Sequence, residues 1–200
     1  MYDMILVRYG EMTLKKQNYR QFLYKINNNI KNKCKHLGKL KFLNTNYRFY
    51  IYLNGENHQE VIDILNTIVG LHSYSLCKKT TNKIEDIAKT AVDVINDNRP
   101  QNNFSFKVET HRGDKSYALT SIEISQQVAR LIIPQIPSMT VDVHNPDLVL
   151  SIDLRTEGTY IYTEAIKGLG GYPSGMAGNG LLMISGGIDS PVAGFLSIKK

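Results

Sequence analysis

The sequence has no tryptophan and only two cysteines, Cys34 and Cys77, which stand far apart and outside any CxxC pair. That spacing excludes a disulfide scaffold and argues against a zinc site. Cys34 falls on the apolar stripe of an expected helix and Cys77 ends an apolar strand-like run. Both read as small buried hydrophobes rather than nucleophiles. No apolar run approaches the ~18–20 residues that cross a bilayer. The segment Met1–Arg8 has too short an apolar core for a signal peptide and no small-residue cleavage site. A cytoplasmic protein without membrane association is the expectation. Acidic residues are scarce at one end only. Between Met1 and Gly55, eleven Lys/Arg stand against two Asp/Glu, while Glu56–Lys200 carries thirteen against sixteen. A basic lobe on a near-neutral body suits a polyanionic partner such as nucleic acid; a solvated lysine-rich helix face would give the same count.

The first part of the chain reads βαββαβ. Met4–Tyr9 is a short apolar strand. Tyr19, Phe22, Leu23, Ile26, Ile30, Cys34 and Leu37 then recur at helical spacing, with Arg20, Lys25, Lys31, Lys33 and Lys35 between them. Lys39–Leu43 and Tyr47–Leu53 predict paired strands, Val61–Ile68 a second helix and Leu71–Cys77 a last strand. Two helices on one face of a four-stranded antiparallel sheet is the ferredoxin-like arrangement.

A second α/β segment follows. Ile84–Ile95 is a helix and Phe104–Val108 a strand, leading into a polar loop at His111–Lys115. Thr120-Ser121-Ile122-Glu123 is a capping box that starts a helix running to Ile133, just before Pro134. Val141 and Val143 mark a short strand, and Asn145-Pro146-Asp147 turns the chain. Leu148–Leu154 and Thr159–Ile166 predict a hairpin around Glu157-Gly158. Six glycines then fall between Gly168 and Gly180, a linker or a shaped loop.

Leu181–Ile184 is a continuous apolar run, the pattern of a strand buried on both faces of a parallel sheet. Ser185-Gly186-Gly187-Ile188-Asp189-Ser190 follows, and Pro191-Val192-Ala193 opens a helix. Strand, glycine turn and helix N-terminus together make an anion site. Unpaired first-turn N–H groups and the helix dipole favour negative charge, and the glycines admit phosphate oxygens closely. Ser185 and Ser190 add hydroxyl donors. Asp189 should repel a phosphate directly, so it suggests a role through Mg²⁺ or in positioning the reacting group. The loop lacks the lysine of the Walker A pattern. A bare GGxD also fits a structural turn with an Asp cap; SGGxDSPVA directly after a buried strand favours the anion site. One strand and part of a helix cannot bury their own faces, so residues 181–200 read as the first unit of a truncated domain.

These residues resemble a known family. Ser185–Ser190 looks like the PP-loop of ATP pyrophosphatases. Arg8-Tyr9-Gly10-Glu11, Val141–Asp147 and Ile166–Gly175 narrow the resemblance to the tRNA 4-thiouridine sulfurtransferase family, also called thiamine biosynthesis protein ThiI. The resemblance spans the whole chain. It implies an α+β protein: a ferredoxin-like domain over residues 1–59, with its last helix and strand extending to about 78, then a THUMP RNA-binding domain over 60–165. A glycine-rich linker over 166–180 and the start of a PP-loop domain over 181–200 would follow. It further implies ATP and Mg²⁺ as cofactors, adenylation of the uridine at tRNA position 8, and displacement of AMP by persulfide sulfur from a cysteine desulfurase, with sulfur transfer for thiamine thiazole as well. Met183 and Ile184 would make backbone contacts to adenine, Ser185, Gly186, Gly187 and Ser190 would hold the pyrophosphate, and Asp189 would be the reaction-critical acidic residue. Arg112, Lys115 and Lys167 are the implied RNA contacts, with solvated loop charges as the alternative for the first two. The family's sulfur-carrying cysteine lies beyond residue 200, so weak tRNA binding without activity is expected of these residues alone. Homodimerisation is left open.

Two readings from other classes compete. A THUMP-bearing methyltransferase needs an adenosylmethionine-binding glycine loop in place of Ser185–Ser190, and none is present. An RNA-binding adaptor would hold tRNA in full and leave Gly168–Lys200 as an unstructured tail. A different PP-loop thiolase would not usually begin with this double RNA-binding front end.

Overall fold

The computed structural model describes residues 2–10, 18–45, 48–98, 100, 102–176 and 178–199. The chain divides into two compact units. One comprises Met4–Tyr74 with Ala165–Lys200, the other Met1–Asp3 with Ser75–Glu164.

In the first unit β1 (Met4–Arg8), α1 (Tyr19–Lys33), β2 (Lys41–Asn44), β3 (Arg48–Tyr52), α2 (His58–Leu65) and the start of β4 (Ser73–Thr80), which runs on into the second unit from Ser75, follow one another. The strand order is β2-β3-β1-β4, which is the expected ferredoxin-like arrangement. Met4, Ile5, Leu6 and Val7 of β1 are all fully buried, the mark of a central strand covered on both faces. Leu23, Ile26 and Ile30 lie on one stripe of α1 and are buried, as are Val61, Ile62 and Leu65 of α2. Each such side chain contributes roughly 1.5–3 kcal/mol on burial. The α1 helix ends at Lys33, four residues before Leu37, although Cys34 and Leu37 continue its buried stripe through a turn. Burial also pushes the Cys34 thiol up to about 11, and Cys77 is buried too. Neither thiol is suited to act as a nucleophile at neutral pH. Within the expected strand Tyr47–Leu53, Phe49, Ile51 and Leu53 are buried, while Tyr47 lies outside the described residues. So does Glu11 of the Arg8–Glu11 stretch.

The second unit contains the end of β4, then α3 (Ile84–Asn98), β5 (Phe104–Arg112), α4 (Ser121–Ile132), β6 (Met139–Val141), β7 (Leu148–Arg155) and β8 (Gly158–Tyr162). Its strand order is β4-β8-β7-β5-β6. Here β5 runs parallel to both β6 and β7, and β7 and β8 form the expected antiparallel hairpin, closed by the Arg155–Gly158 pair. Gly158 has φ 131°, and a side chain there would meet Lys79 and the Thr80 carbonyl at 2.9 Å. Ile87, Ala91, Val94 and Ile95 of α3 and Ile124, Val128 and Ile132 of α4 pack with Phe104, Phe106 and alternate residues of β7.

Four sequence-based expectations change. His111 and Arg112 belong to β5 rather than to the loop, because β7 offers them pairing partners at Asp153 and Leu154. Thr159–Ile166 is not one strand. Its β8 part ends at Tyr162, and Ile166 and Lys167 form β9, which pairs with Tyr74 and Ser73 of β4. Val143 lies outside β6, in a turn where the Asp142 carboxylate accepts from the His144 and Asn145 N–H groups. Leu181–Ile184 is not a strand at all. No strand runs beside it among the described residues, and a parallel strand exists only through its neighbours' hydrogen bonds.

The capping box at the start of α4 is present: Thr120 Oγ1 accepts from the Glu123 N–H, and the Glu123 carboxylate accepts from the Thr120 N–H at 2.7 Å. Thr120→Ala is expected to lower stability by about 1 kcal/mol, read as an earlier midpoint in urea unfolding. Hydrogen bonds from Thr120 hold the Glu123 carboxyl below its ordinary range. A depressed carboxyl stabilises the fold above its unfolded pKa and loses that contribution as pH falls through the folded one. The stability difference between the parent chain and Glu123→Gln should therefore close as pH is taken from neutral into the acid range.

Candidate functional site

The Ser185–Ser190 turn leads directly into α5 (Asp189–Ile198). Ser190 Oγ accepts from the Ser185 N–H at 3.0 Å and lies 3.2 Å from Ser185 Oγ, so the two hydroxyls sit side by side at the mouth of the turn. The N-cap is Ile188, whose side chain can accept nothing, and no side chain caps the helix. Its first-turn donors therefore face outward, where the helix dipole favours an anion. A Cβ at Gly186 would meet nothing within 4 Å, and one at Gly187 only Ser185 Oγ at 3.8 Å. The space those glycines leave is open to an external group rather than filled by protein. Asp189 occupies the first helical position and Pro191 the third, so the missing proline N–H costs no intrahelical bond. The donor set fits a pyrophosphate: two hydroxyls, an open helix N-terminus and space above two glycines.

The support for this turn comes from within the same unit. Leu182 lies against α5 at Gly194, where a Cβ would come within 2.3 Å of Leu182 Cδ2. The Tyr172 N–H donates to the Lys199 carbonyl at 2.9 Å, fixing the far end of the helix. Between them is a cavity of about 450 Å³ lined by Tyr172, Pro173, Leu181, Leu182, Gly194 and Ile198. The glycine-rich stretch is docked: Gly168 and Gly170 donate to the His72 and Leu71 carbonyls, and Gly70 donates to Gly170. A Cβ at Gly168 would sit 2.3 Å from the Leu71 carbonyl oxygen. From α1, Asn29 donates to the Ser174 carbonyl, and the Phe22 ring lies 5.7 Å from that of Tyr172. Met183 and Ile184 are largely exposed.

A second set of candidates lies at the end of β5. Arg112 is half-buried, and its Nη1 donates to the carbonyls of Tyr117 (3.0 Å) and Leu119 (2.9 Å). Lys115 is exposed on the turn that Arg112 spans. Lys167 is exposed on β9 in the other unit.

Residues 4–75 match the ThiI ferredoxin-like domain, residues 81–164 the THUMP domain and residues 175–200 the thiamine biosynthesis protein (ThiI) family. The chain carries, in order, the ferredoxin-like, THUMP and ThiI regions of the ThiI family. A probable tRNA sulfurtransferase from Acholeplasma laidlawii is 45% identical over 196 residues, which are 98% of this chain and 47% of that protein. The crystal structure of a 4-thiouridine synthetase–RNA complex with bound ATP superposes with a TM-score of 0.87 at 30% identity, over all of this chain and 50% of that one. The structure of PH1313 from Pyrococcus horikoshii gives 0.84 at 27% identity, over 98% of this chain and 65% of the other. The chain spans about half the length of the curated relatives it matches.

Ser185, Gly186, Gly187, Asp189 and Ser190 come together in one turn, with Met183 and Ile184 just before it. Arg112 and Lys115 share a second locus, and Lys167 stands in a different unit from that locus. Sequence reasoning passed over Asn82, Tyr117 and Arg155, which hold the Arg112 loop in place. No periodicity or motif marks them: Tyr117 and Asn82 donate to the Asn82 and Arg155 carbonyls, which only the fold brings near, and the Arg155 side chain turns to the buried Asp153 carboxylate. Gly194→Val is expected to drive Leu182 off α5. Faster thermolysin cleavage within 181–184, with the second unit still resistant, is the readout.

Proposed function

We propose that the chain supplies the tRNA-binding front end and the pyrophosphate loop of a cytoplasmic tRNA 4-thiouridine sulfurtransferase. The open α5 N-terminus beside Ser185 and Ser190 carries the nucleotide half of this reading. ATP would adenylate the C4 oxygen of uridine 8 with release of pyrophosphate. A persulfide charged by a cysteine desulfurase partner would attack C4 and expel AMP, a second thiol then freeing the thione by closing a disulfide with the carrier sulfur. The same sulfur would serve thiamine thiazole formation. In this scheme Ser185, Gly186, Gly187 and Ser190 bind the pyrophosphate, replacing water with fixed N–H and O–H donors. The main chain at Met183 and Ile184 lines the adenine. Asp189, at the first helical position, orients Mg²⁺ or the reacting group instead of donating to phosphate.

The basic lobe carries the RNA half. Lys35 and Arg20 on or just after α1 are exposed, whereas Lys33 is committed to Thr67, donating to its hydroxyl at 2.7 Å. Lys115 and Lys167 add exposed ammonium groups, and Arg112 stands at the root of the Lys115 loop. Phosphate contacts of this kind position RNA and make binding salt-sensitive. A homodimer would place two such surfaces on one assembly.

In cells lacking their own tRNA sulfurtransferase, the natural gene containing this chain should restore 4-thiouridine, measured by mass spectrometry of digested tRNA. Asp189→Asn should cut the recovered 4-thiouridine on the order of a hundredfold while leaving tRNA binding unchanged. Restoration at parental level by Asp189→Asn would remove its catalytic role.

A further inference from the structure

The loop over residues 113–119 is short, polar and surface-placed, yet it is tied down along most of its length. The Gly113 and Asp114 N–H groups both donate to the Leu154 carbonyl. Asp114 Oδ1 accepts from the Ser116 N–H and from Ser116 Oγ at 2.9 and 2.6 Å. Tyr117 donates its hydroxyl to the Asn82 carbonyl at 2.6 Å. Asn82 is itself fixed to the β7–β8 hairpin, donating to the Arg155 carbonyl and accepting from Thr159 Oγ1. Arg155 donates from Nε to the fully buried Asp153 carboxylate at 2.8 Å. Its guanidinium lies so close to Gly113 that a Cβ there would fall 2.4 Å from Nη1.

Arg112 closes this arrangement. Its side chain reaches across the mouth of the loop, and one nitrogen serves the Tyr117 and Leu119 carbonyls together. Lys115 is different. It is exposed at the tip, and among the described residues no hydrogen bond or ion pair holds its ammonium group. A rigid loop with one outward cation is preorganised for an anionic partner, because little freedom remains to be lost on binding.

We propose that Arg112 is a positioning residue for RNA binding. It keeps the 113–119 loop in one shape so that Lys115 meets a backbone phosphate, and it makes no phosphate contact itself. Asn82 and Tyr117 serve the same end from the opposite side of the loop. This inference rests on the RNA-binding reading of the second unit.

Salt dependence separates the two roles, since each phosphate that a side chain neutralises adds about 0.9 or somewhat less to the slope of log affinity against log salt. The experiment is fluorescence anisotropy of a labelled tRNA transcript with the 200-residue chain, from roughly 50 to 200 mM KCl. Lys115→Gln should weaken binding and make the slope shallower by about one. Arg112→Gln and Tyr117→Phe should weaken binding roughly three- to tenfold at every salt concentration and keep the parental slope. Thermal melting establishes that each variant is folded. Tyr117→Phe changes no charge and removes one hydroxyl, so it decides the matter should Arg112→Gln lose structure. A slope made as shallow by Arg112→Gln as by Lys115→Gln overturns the proposal, as does parental affinity in folded Tyr117→Phe. Absence of tRNA binding by the unsubstituted chain would instead overturn the RNA reading, and this role with it.

Discussion

The parallel pairing of β5 with β7 is the interaction on which the second unit depends. It places the Phe106–Arg112 segment against Leu148–Leu154, so that alternate residues of both strands enter one core with α3 and α4. Parallel strands cannot be joined by a tight turn, and the intervening α4 is the crossover that makes the pairing feasible. Its register is pinned at one end by Asp147, whose carboxylate accepts from both the N–H and the hydroxyl of Ser105. At the other end the pairing delivers Arg112 beside Leu154, and the 113–119 loop begins from that fixed root. A one-residue slip would turn every core side chain of β5 outward and would detach Arg112 from the carbonyls it spans.

The same requirement, that main-chain groups find partners, explains the region around the glycine-rich loop. Leu181–Ile184 has the composition of a central strand, but composition cannot supply the neighbouring hydrogen bonds. What orders the region instead is close packing made possible by missing side chains. Leu182 lies on Gly194, the Lys199 carbonyl on Gly171, and Gly168 on the Leu71 carbonyl. Larger residues at any of these points would push the backbones apart. The turn that follows is then held by its own two serines, with an apolar residue at the N-cap and the helix dipole left to act outward.

Two kinds of cation can be told apart on this basis. Arg112 and Arg155 are spent on carbonyls and a buried carboxylate within the protein, and Lys33 on Thr67. Lys115 and Lys167 face solvent. A planar guanidinium can bridge two acceptors in a fixed fork, whereas an ammonium on a flexible stem suits a point contact with phosphate. Counting charges along the sequence treats all of them alike.

Much of the fold was legible in the chain. The helical spacing of Leu23, Ile26 and Ile30, the alternation of Leu148–Leu154 and the Thr120–Glu123 box each encode a local preference strong enough to survive tertiary packing. The Ser185–Ser190 turn into a helix was legible for the same reason, because two glycines followed by Asp-Ser-Pro encode it locally. Where strands end was not legible, since β5 runs on through Arg112 only because Leu154 is there to receive it, and Ile166 leaves β8 because β4 offers it Tyr74. The sequence by itself determined most of the elements, their order and the glycine turn that opens α5, all of which follow from contacts between residues near one another in the chain. Only the tertiary structure decided which cations are already committed, how the glycine-rich stretch is docked, and that Asn82 and Tyr117 stand behind Lys115. Those depend on hydrogen bonds and close approaches that only the folded backbone brings about, which no residue type announces.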